Sequence, residues 1–515
     1  MLSSGLFPLA ISIAALLGQC QGSQSPPGIL IPRPNLKSQP VPRDLQSFSI
    51  EFAFFPDYAG NKSHPNVFSK NLLKNFKDLT GIYPLVRVGG TSQDHSDYFA
   101  DQEENIQLIY ETPGDDQPIQ VNYGPSFFES YDTLGPIKFL HGLNQNQNRS
   151  IQQLQDAAVK ACTSIGSKLH LFELGNEWNF APGKYRSGNY SMLDYVKEWN
   201  HKSTIVKTAV EKACPGPFPG FMAPSLVLVD FIDTHGWTAD KVFDLGYDEK
   251  NLTKELSFHN YMGVNYDPTS NGAFDLQKTL MNHTSIVENL ALQITRAKSL
   301  AHLGHLYTLG EMNSIAGQGR NGETNVFGDA LWMVDFSLWA AANNFKRLHL
   351  HQGLNYRYAS WQPILSKGEA PTTKPPYYGQ IMVAAALGHS EKIRVVNIPL
   401  RKDTEAAYGI YDGNSLARIV AVNMKAFNES TSGDRPNTQY HFQIPGDCHR
   451  VKVDRMIAPG SDSVSNVTFG GVSYDYNLKY GKPVTVSPNQ EIVEARNETV
   501  SIDVPDSSAV LLSLL

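Results

Sequence analysis

Leu169–Gly175 (LHLFELG) runs directly into Asn176-Glu177-Trp178, and Leu303–Gly310 (LGHLYTLG) runs directly into Glu311-Met312-Asn313. Both apolar runs are too short for helices and read as buried strands. Each leaves a glutamate where a strand stops and a loop begins. Working outward, further strand-like segments lie at Phe48–Phe55, Tyr83–Val88, Ile137–Leu143, Gly220–Ala223, Leu256–Tyr261 and Arg347–His351, with the seventh strand itself at His305–Gly310. Helix-like stretches alternate with them at Val67–Leu79, Ile151–Ile165, Leu193–Ala213, Ile286–Leu300 and Phe327–Asn343. Eight such units predict an α/β fold, a (β/α)8 TIM barrel over residues 46–385. The alternative is an open doubly wound sheet. That fold usually binds a nucleotide through a Gly-rich first turn, whereas the first strand here ends Phe55-Pro56-Asp57.

After Gly388 helical periodicity stops. Short strand-like pieces follow at Ile393–Ile398, Ala406–Tyr411, Ala417–Asn423, Gln439–Ile444, Val451–Ile457, Thr499–Val504 and Ala509–Leu514, which predicts a C-terminal all-β sandwich over residues 386–515.

The chain has 515 residues, 41% of them hydrophobic, and a formal charge of −7. That length accommodates one large barrel and a smaller domain. With no Lys/Arg cluster on any one element, nucleic acid and strongly polyanionic partners are disfavoured. Residues 1–22, with the apolar run Leu6–Leu17, read as a secretory signal peptide, although the first five residues carry no Lys or Arg. No other segment has the length of a membrane span, so the expectation is a soluble, secreted, extracellular protein without a membrane anchor. Eight Asn-x-Ser/Thr sequons, at Asn61, Asn148, Asn189, Asn251, Asn282, Asn428, Asn466 and Asn497, agree with a secretory route. Three cysteines remain after the signal. Of these, Cys162 and Cys214, late in consecutive helices, are the expected pair, leaving Cys448.

Two carboxylates on the catalytic face of a barrel are the minimum equipment for breaking a glycosidic bond. Glu177, with Asn176 beside it to bond a sugar 2-hydroxyl, suits the acid/base. Glu311 suits the nucleophile. His259 and Tyr261 share a strand face, which lets the Tyr261 hydroxyl hold the nucleophile's carboxylate. Arg87-Val88-Gly89-Gly90-Thr91 brings an arginine to orient a carboxylate, and glycines that admit a ligand close to the backbone. His349-Leu350-His351 offers two imidazoles on one face, but no further ligands at metal spacing accompany them. No metal and no cofactor are therefore expected.

Taken in order, these segments resemble glycoside hydrolase family 79, the family of heparanase and of fungal and bacterial β-glucuronidases. The resemblance rests on Phe48-Ser49-Ile50-Glu51, Arg87-Val88-Gly89-Gly90-Thr91, His141-Gly142-Leu143-Asn144, Gly175-Asn176-Glu177, Gly310-Glu311, Val326-Phe327-Gly328 and Pro375-Pro376-Tyr377-Tyr378. It implies a retaining β-glycosidase with Glu177 as acid/base, Glu311 as nucleophile and Glu51 contacting substrate. It also implies a strand from residues 23–45 added to the sandwich. One departure stands out. Where the family places a Tyr after the nucleophile to hold a uronate carboxylate, this chain has Ala316. The N–H groups of Gly317 and Gln318, with Arg320 close by, are the expected substitutes. The favoured function is a secreted exo-β-glucuronidase acting on a carbohydrate substrate. Its competitors are an endo-acting heparanase-like enzyme, a retaining glycosidase for a non-uronic sugar, a metal-dependent barrel hydrolase, and a catalytically silent glycan-binding protein.

Overall fold

The computed structural model describes residues 28–146, 150–228, 235–265, 275–488 and 491–515. The expected signal peptide lies outside these residues. Eight parallel strands close a barrel: β1 (Gln46–Glu51), β2 (Val86–Gly89), β3 (Phe139–Leu143), β4 (Leu169–Leu174), β5 (Phe221–Val227), β6 (Thr253–Val264), β7 (Leu306–Ala316) and β8 (Arg347–Gln352). β1 pairs with both β2 and β8, and the rest follow in chain order.

The surrounding helices are α1 (Val67–Thr80), α2 (Ile151–Ile165), α3 (Met192–Ala213), α4 (Ala239–Asp244), α5 (His283–Ser299), α6 (Phe327–Ala342) and α7 (Pro376–Leu387). A 3-10 helix, Pro125–Asp132, takes the helix position between β2 and β3. Their ends follow from local chemistry. Asn66 and Ser150 cap α1 and α2 by accepting backbone N–H groups, and Ser191 with Asp194 forms a capping box on α3. Cys162 and Cys214 form a disulfide that ties the C-terminal ends of α2 and α3.

α6 and α7 are buried almost all round, as a helix apolar on every side must be. They lie between the barrel and the C-terminal β region: the Phe327 and Gly328 N–H groups donate to Ser463 and Ser461 carbonyls, and the Tyr408 hydroxyl donates to Asp335. That region is a nine-stranded, largely antiparallel sheet covered by a second layer, Asn437–Gln443 paired with Thr499–Pro505. Apolar side chains such as Ile419, Phe442, Val453, Ile502 and Leu512 form the core there. Of the described residues 28–45, Ile29 contributes a single parallel bridge to Phe442 rather than a full strand.

Four strands end away from where they were expected: β5 runs on to Val227 instead of stopping at Ala223, and three others differ as follows. β1 stops at Glu51, and Phe52–Ala59 coils into two short helices instead of extending the strand. β6 and β7 run on past the points where their apolar runs end, pairing Asn313 with Tyr261 and Ala316 with Val264. Glu311 and His259-Asn260-Tyr261 therefore lie within strands, not at their ends. Backbone pairing between two neighbouring strands carries them beyond the barrel rim, and it does not need apolar side chains.

Candidate active site

Glu311 follows a register shift in β7 at Gly310. A Cβ on Gly310 would stand 1.9 Å from the Ser257 hydroxyl, so only glycine fits there. Such a bulge re-aims the next side chain. Here Glu311 meets the Arg87 guanidinium (Nη1 to Oε2, 2.7 Å) and the Tyr261 hydroxyl, which donates to Oε1 at 2.7 Å. Burial pushes the Glu311 carboxyl up. The charges of His351, His259 and Arg87 and the Tyr261 hydrogen bond outweigh it, so the group lies well below the usual carboxylate range.

Glu177 sits at the other side of the site, on the turn after β4. Its backbone is left-handed (φ 53°), an uncommon state for a residue with a side chain. The turn is fixed by the Glu177 N–H on the Ser225 carbonyl at 2.9 Å and by the Phe180 N–H on the Glu177 carbonyl at 2.9 Å. Its carboxylate caps no helix; instead Oε1 lies 2.9 Å from His259 Nδ1. His259 and Tyr261, two apart on β6, thus each hold one glutamate. A polar atom from each of Glu177, His259 and Glu311 falls within 4.8 Å of the others.

Arg87 is fully buried and links the two halves. Its Nε meets Glu173 at 2.7 Å, Nη1 also reaches Ser49, and Nη2 donates to the Asn176 side-chain carbonyl at 2.7 Å. Asn176 is therefore placed beside Glu177 with its Oδ1 already taken; among the described residues its amide nitrogen has no partner. Glu51 at the end of β1 accepts the Ser92 N–H at 2.8 Å and the Ser92 hydroxyl, and its Oε2 lies 3.2 Å from His351 Nε2. Gly90, at φ 97°, gives the carboxylate room: a Cβ there would come within 2.7 Å of Oε1. Thr91 opens the short 3-10 turn that carries Ser92. Gly317 and Gln318 follow the last residue of β7, both with positive φ. Their N–H groups have no acceptor among the described residues. Arg320, expected beside them, is instead buried and ion-paired with Glu323 at 3.3 Å.

Several groups were not singled out from the sequence. Glu173 is a charged residue inside an apolar strand, which was itself the available signal; buried, it is matched by Arg87 and the Ser225 hydroxyl. Asp94 accepts the N–H groups of Gln145, Asn176 and the Trp178 indole at 2.7, 2.7 and 3.0 Å, which pins the Asn176-Glu177-Trp178 turn. Burial raises it to about 6. Tyr356, Arg357 and Tyr358 come from the loop after β8. Tyr356 and Tyr358 are buried beside His351, and the Tyr356 hydroxyl receives a 2.9 Å bond from Gln117.

The trio Glu177, His259 and Glu311 is the one group among the described residues close enough to gather a metal ion. It is a poor cation site, because the Arg87 guanidinium already neutralises Glu311 and His259 Nδ1 is engaged by Glu177. The His349/His351 pair does not converge either: His351 holds Ser49 and Glu51, while His349 Nδ1 lies 3.4 Å from the Phe48 carbonyl.

A parallel eight-stranded barrel with two converging carboxylates, one on the turn after β4 and one within the C-terminal half of β7, defines a barrel glycoside hydrolase. Comparison with known proteins agrees. The glycosyl hydrolase family 79 C-terminal beta domain model matches residues 407–511. A β-glucuronidase of Aspergillus niger is 39% identical over 519 residues, covering 96% of this chain and 94% of that protein. One from Neurospora crassa is 35% identical over 501 residues, covering 88% of each. Among solved structures, a 4-O-α-L-rhamnosyl-β-D-glucuronidase from Fusarium oxysporum 12S shares the fold at a TM-score of 0.77 and 22% identity, over 95% of this chain and 100% of that one. The chain belongs to glycoside hydrolase family 79.

Proposed function

We propose that this enzyme is a secreted, retaining exo-β-glucuronidase, with Glu311 as nucleophile and Glu177 as acid/base. The observation that carries the mechanism is the approach of the two carboxylates. One oxygen of each lies within 4.8 Å of an oxygen of the other. Carboxyls about 5–5.5 Å apart leave no room for a water between the base and the sugar, whereas inverting enzymes need roughly 6.5–9.5 Å.

In the first step Glu311, kept ionised by Arg87 and Tyr261, attacks the anomeric carbon. Glu177 protonates the departing glycosidic oxygen. In the second step Glu177 takes a proton from water, which displaces Glu311 and leaves the sugar with its original configuration. The Asn176 amide, oriented by Arg87, donates to the 2-hydroxyl. Glu51 accepts from sugar hydroxyls.

Exo action is supported by the segment 105–119, which is tied to the loop after β8 by Gln117 on Tyr356 and by Asp116 and the Gly114 and Asp115 carbonyls on Arg357 and Lys367. Through Tyr356, whose hydroxyl lies 3.5 Å from Glu51 Oε2, that bridge connects to the site. Glucuronide preference is supported by the two β-glucuronidase relatives. Secretion is supported by the Cys162–Cys214 disulfide and by the seven described sequon asparagines, none of which is buried. No described helix is long and apolar enough to cross a membrane.

The test is a panel of aryl β-glucuronide, glucoside, xyloside and galactoside. The glucuronide is expected to have the highest kcat/KM; a glucoside cleaved equally well overturns the substrate assignment and leaves the mechanism standing. Chelation with EDTA is expected to leave the rate unchanged.

A further inference from the structure

Among the described residues the Glu177 carboxylate has one side-chain partner, so its place is set chiefly by the backbone turn that carries it. That turn is left-handed at Glu177, a state that persists in a residue with a side chain only where the surroundings over-determine it. The next residue, Trp178, is buried and supplies the hold. We infer that Arg186, on the loop after β4, is a positioning residue for proton transfer: with Asp94 it clamps Trp178 from two sides and so fixes where the Glu177 carboxyl stands. The inference deepens the assignment of Glu177 as acid/base and rests on it.

The clamp is built from charge and stacking. The Trp178 indole N–H donates to Asp94 Oδ2 at 3.0 Å, and the same oxygen accepts the Asn176 N–H at 2.7 Å, so Asp94 holds the residue on each side of Glu177. The Arg186 guanidinium lies over the Trp178 ring, 4.4 Å from its centroid, an attraction that strengthens away from water. The arginine side chain is only 3% exposed, so it acts through the indole and not on a ligand. Gly175 lets the indole come close: a Cβ there would stand 2.3 Å from Trp178 Nε1.

The guanidinium is itself fixed. Arg186 Nε and Nη2 donate to the two Glu198 oxygens at 3.2 and 2.5 Å, a bidentate pair. Lys202, one turn further along α3, donates to Glu198 at 2.7 Å, and the Tyr190 hydroxyl donates to it at 2.8 Å. Burial pushes the Glu198 carboxyl up, but Arg186 and Lys202 outweigh it and hold the group below its ordinary value. The Gln145 peptide closes the ring. Its N–H donates to Asp94 at 2.7 Å, and its carbonyl accepts from Lys202 at 2.6 Å and from Arg186 at 3.3 Å. Two cations, Arg186 and Lys202, thus balance two carboxylates, Asp94 and Glu198, across one peptide. A satisfied network of this kind rigidifies what it encloses, and this one encloses Trp178.

The experiment measures kcat/KM for the phenyl and dinitrophenyl β-glycosides of whichever sugar the wild type cleaves best. The proteins compared are wild type, Arg186→Met, Arg186→Lys, Glu177→Gln, and the double variant Arg186→Met with Glu177→Gln. Arg186→Met is expected to lose about 30-fold on the phenyl glycoside, since displacing a catalytic group by about 1 Å costs on the order of 100-fold. It should lose less than about 3-fold on the dinitrophenyl glycoside, whose departure needs no proton. Arg186→Lys keeps the charge without the planar fork and should show the same pattern with a smaller loss. In the double variant the Arg186 change should cost less than about 3-fold beyond Glu177→Gln, because the group it places is gone. Equal losses on the two glycosides, no loss on either, or a full added loss in the double variant would mean that Arg186 serves the fold alone, and would overturn the inference. If Arg186→Met fails to fold, the ratio of the two glycosides with Arg186→Lys decides in the same way. An even loss with Glu177→Gln overturns the acid/base assignment and the inference with it, a result read from the Glu177 variant by itself.

Discussion

The turn after β4 and the wall of β7 each hold one glutamate, and they hold it differently. Glu177 has one side-chain partner, His259, a left-handed backbone, and a side chain one-fifth exposed. Glu311 is 8% exposed, wedged between a buried guanidinium and a tyrosine hydroxyl, on a strand bonded on both sides. A group that must give a proton to one oxygen and take one from water needs solvent and a light hold. A group that must stay ionised and strike one carbon needs fixed positive neighbours and no freedom. The proposed division of labour between two chemically identical side chains rests on this difference in surroundings.

The largest effect should come from removing the fixed partner. Glu311→Gln is expected to lose on the order of 10^5 or more in kcat on an aryl β-glucuronide; a loss below about 100-fold would make the β7 glutamate dispensable and erase the contrast. Glu177→Gln should lose about 10^2–10^4-fold on substrates with poor leaving groups and far less on a dinitrophenyl glycoside, whose departure needs no proton. Azide should restore turnover as a β-glycosyl azide. A uniform loss across leaving groups would contradict the acid role.

Stability sharpens the same contrast. Arg87→Met leaves Glu173 and Glu311 buried without their cation and is expected to cost about 3–5 kcal/mol, measured as a lower midpoint in urea. A shift worth less than about 1 kcal/mol would show that the arginine does not hold the two strands together electrostatically. Tyr261→Phe removes one charge-assisted bond from Glu311, about 1.5–3 kcal/mol, or roughly 10–100-fold in kcat, with little change in KM.

The two imidazoles of β8 provide the smallest and most pH-specific test. Burial lowers His349 to about 3, so its neutral form stabilises the fold. That contribution is whole above the unfolded value near 6.5 and is lost as pH falls from there toward 3. The part lost by pH 5 is about 2 kcal/mol. Burial also lowers His351, but Glu311 and Glu51 outweigh it and raise the group; its contribution is whole below about 6.5 and lost as pH rises through the folded value. His349→Gln should therefore flatten the decline in stability between pH 6.5 and 5. An unchanged slope in thermal melts would show that His349 is not held neutral.

Much of the barrel was legible because its strands are apolar runs of strand length and its helices carry caps and 3.6-residue spacing. Both glutamates, Tyr261 and Arg87 could be placed by their position at the ends of those runs. Asp94, Tyr356 and Arg357 could not. Each sits on a segment whose composition carries no periodicity and meets distant partners, as Asp94 does Gln145, 51 positions away, and Tyr356 does Glu51, 305 positions away. Arg320 was expected near the ligand because it is near in sequence. It is instead buried and ion-paired with Glu323.

The central claim is that Glu311 forms a covalent bond to the sugar while Glu177 manages the proton. Treatment with a 2-deoxy-2-fluoro-β-glucuronyl fluoride, followed by proteolysis and mass spectrometry of the peptides, tests it directly. The expected result is time-dependent inactivation with one fluoroglucuronyl group attached to Glu311. A label on Glu177, or no label with the α-anomer as first product of an ordinary substrate, would contradict it.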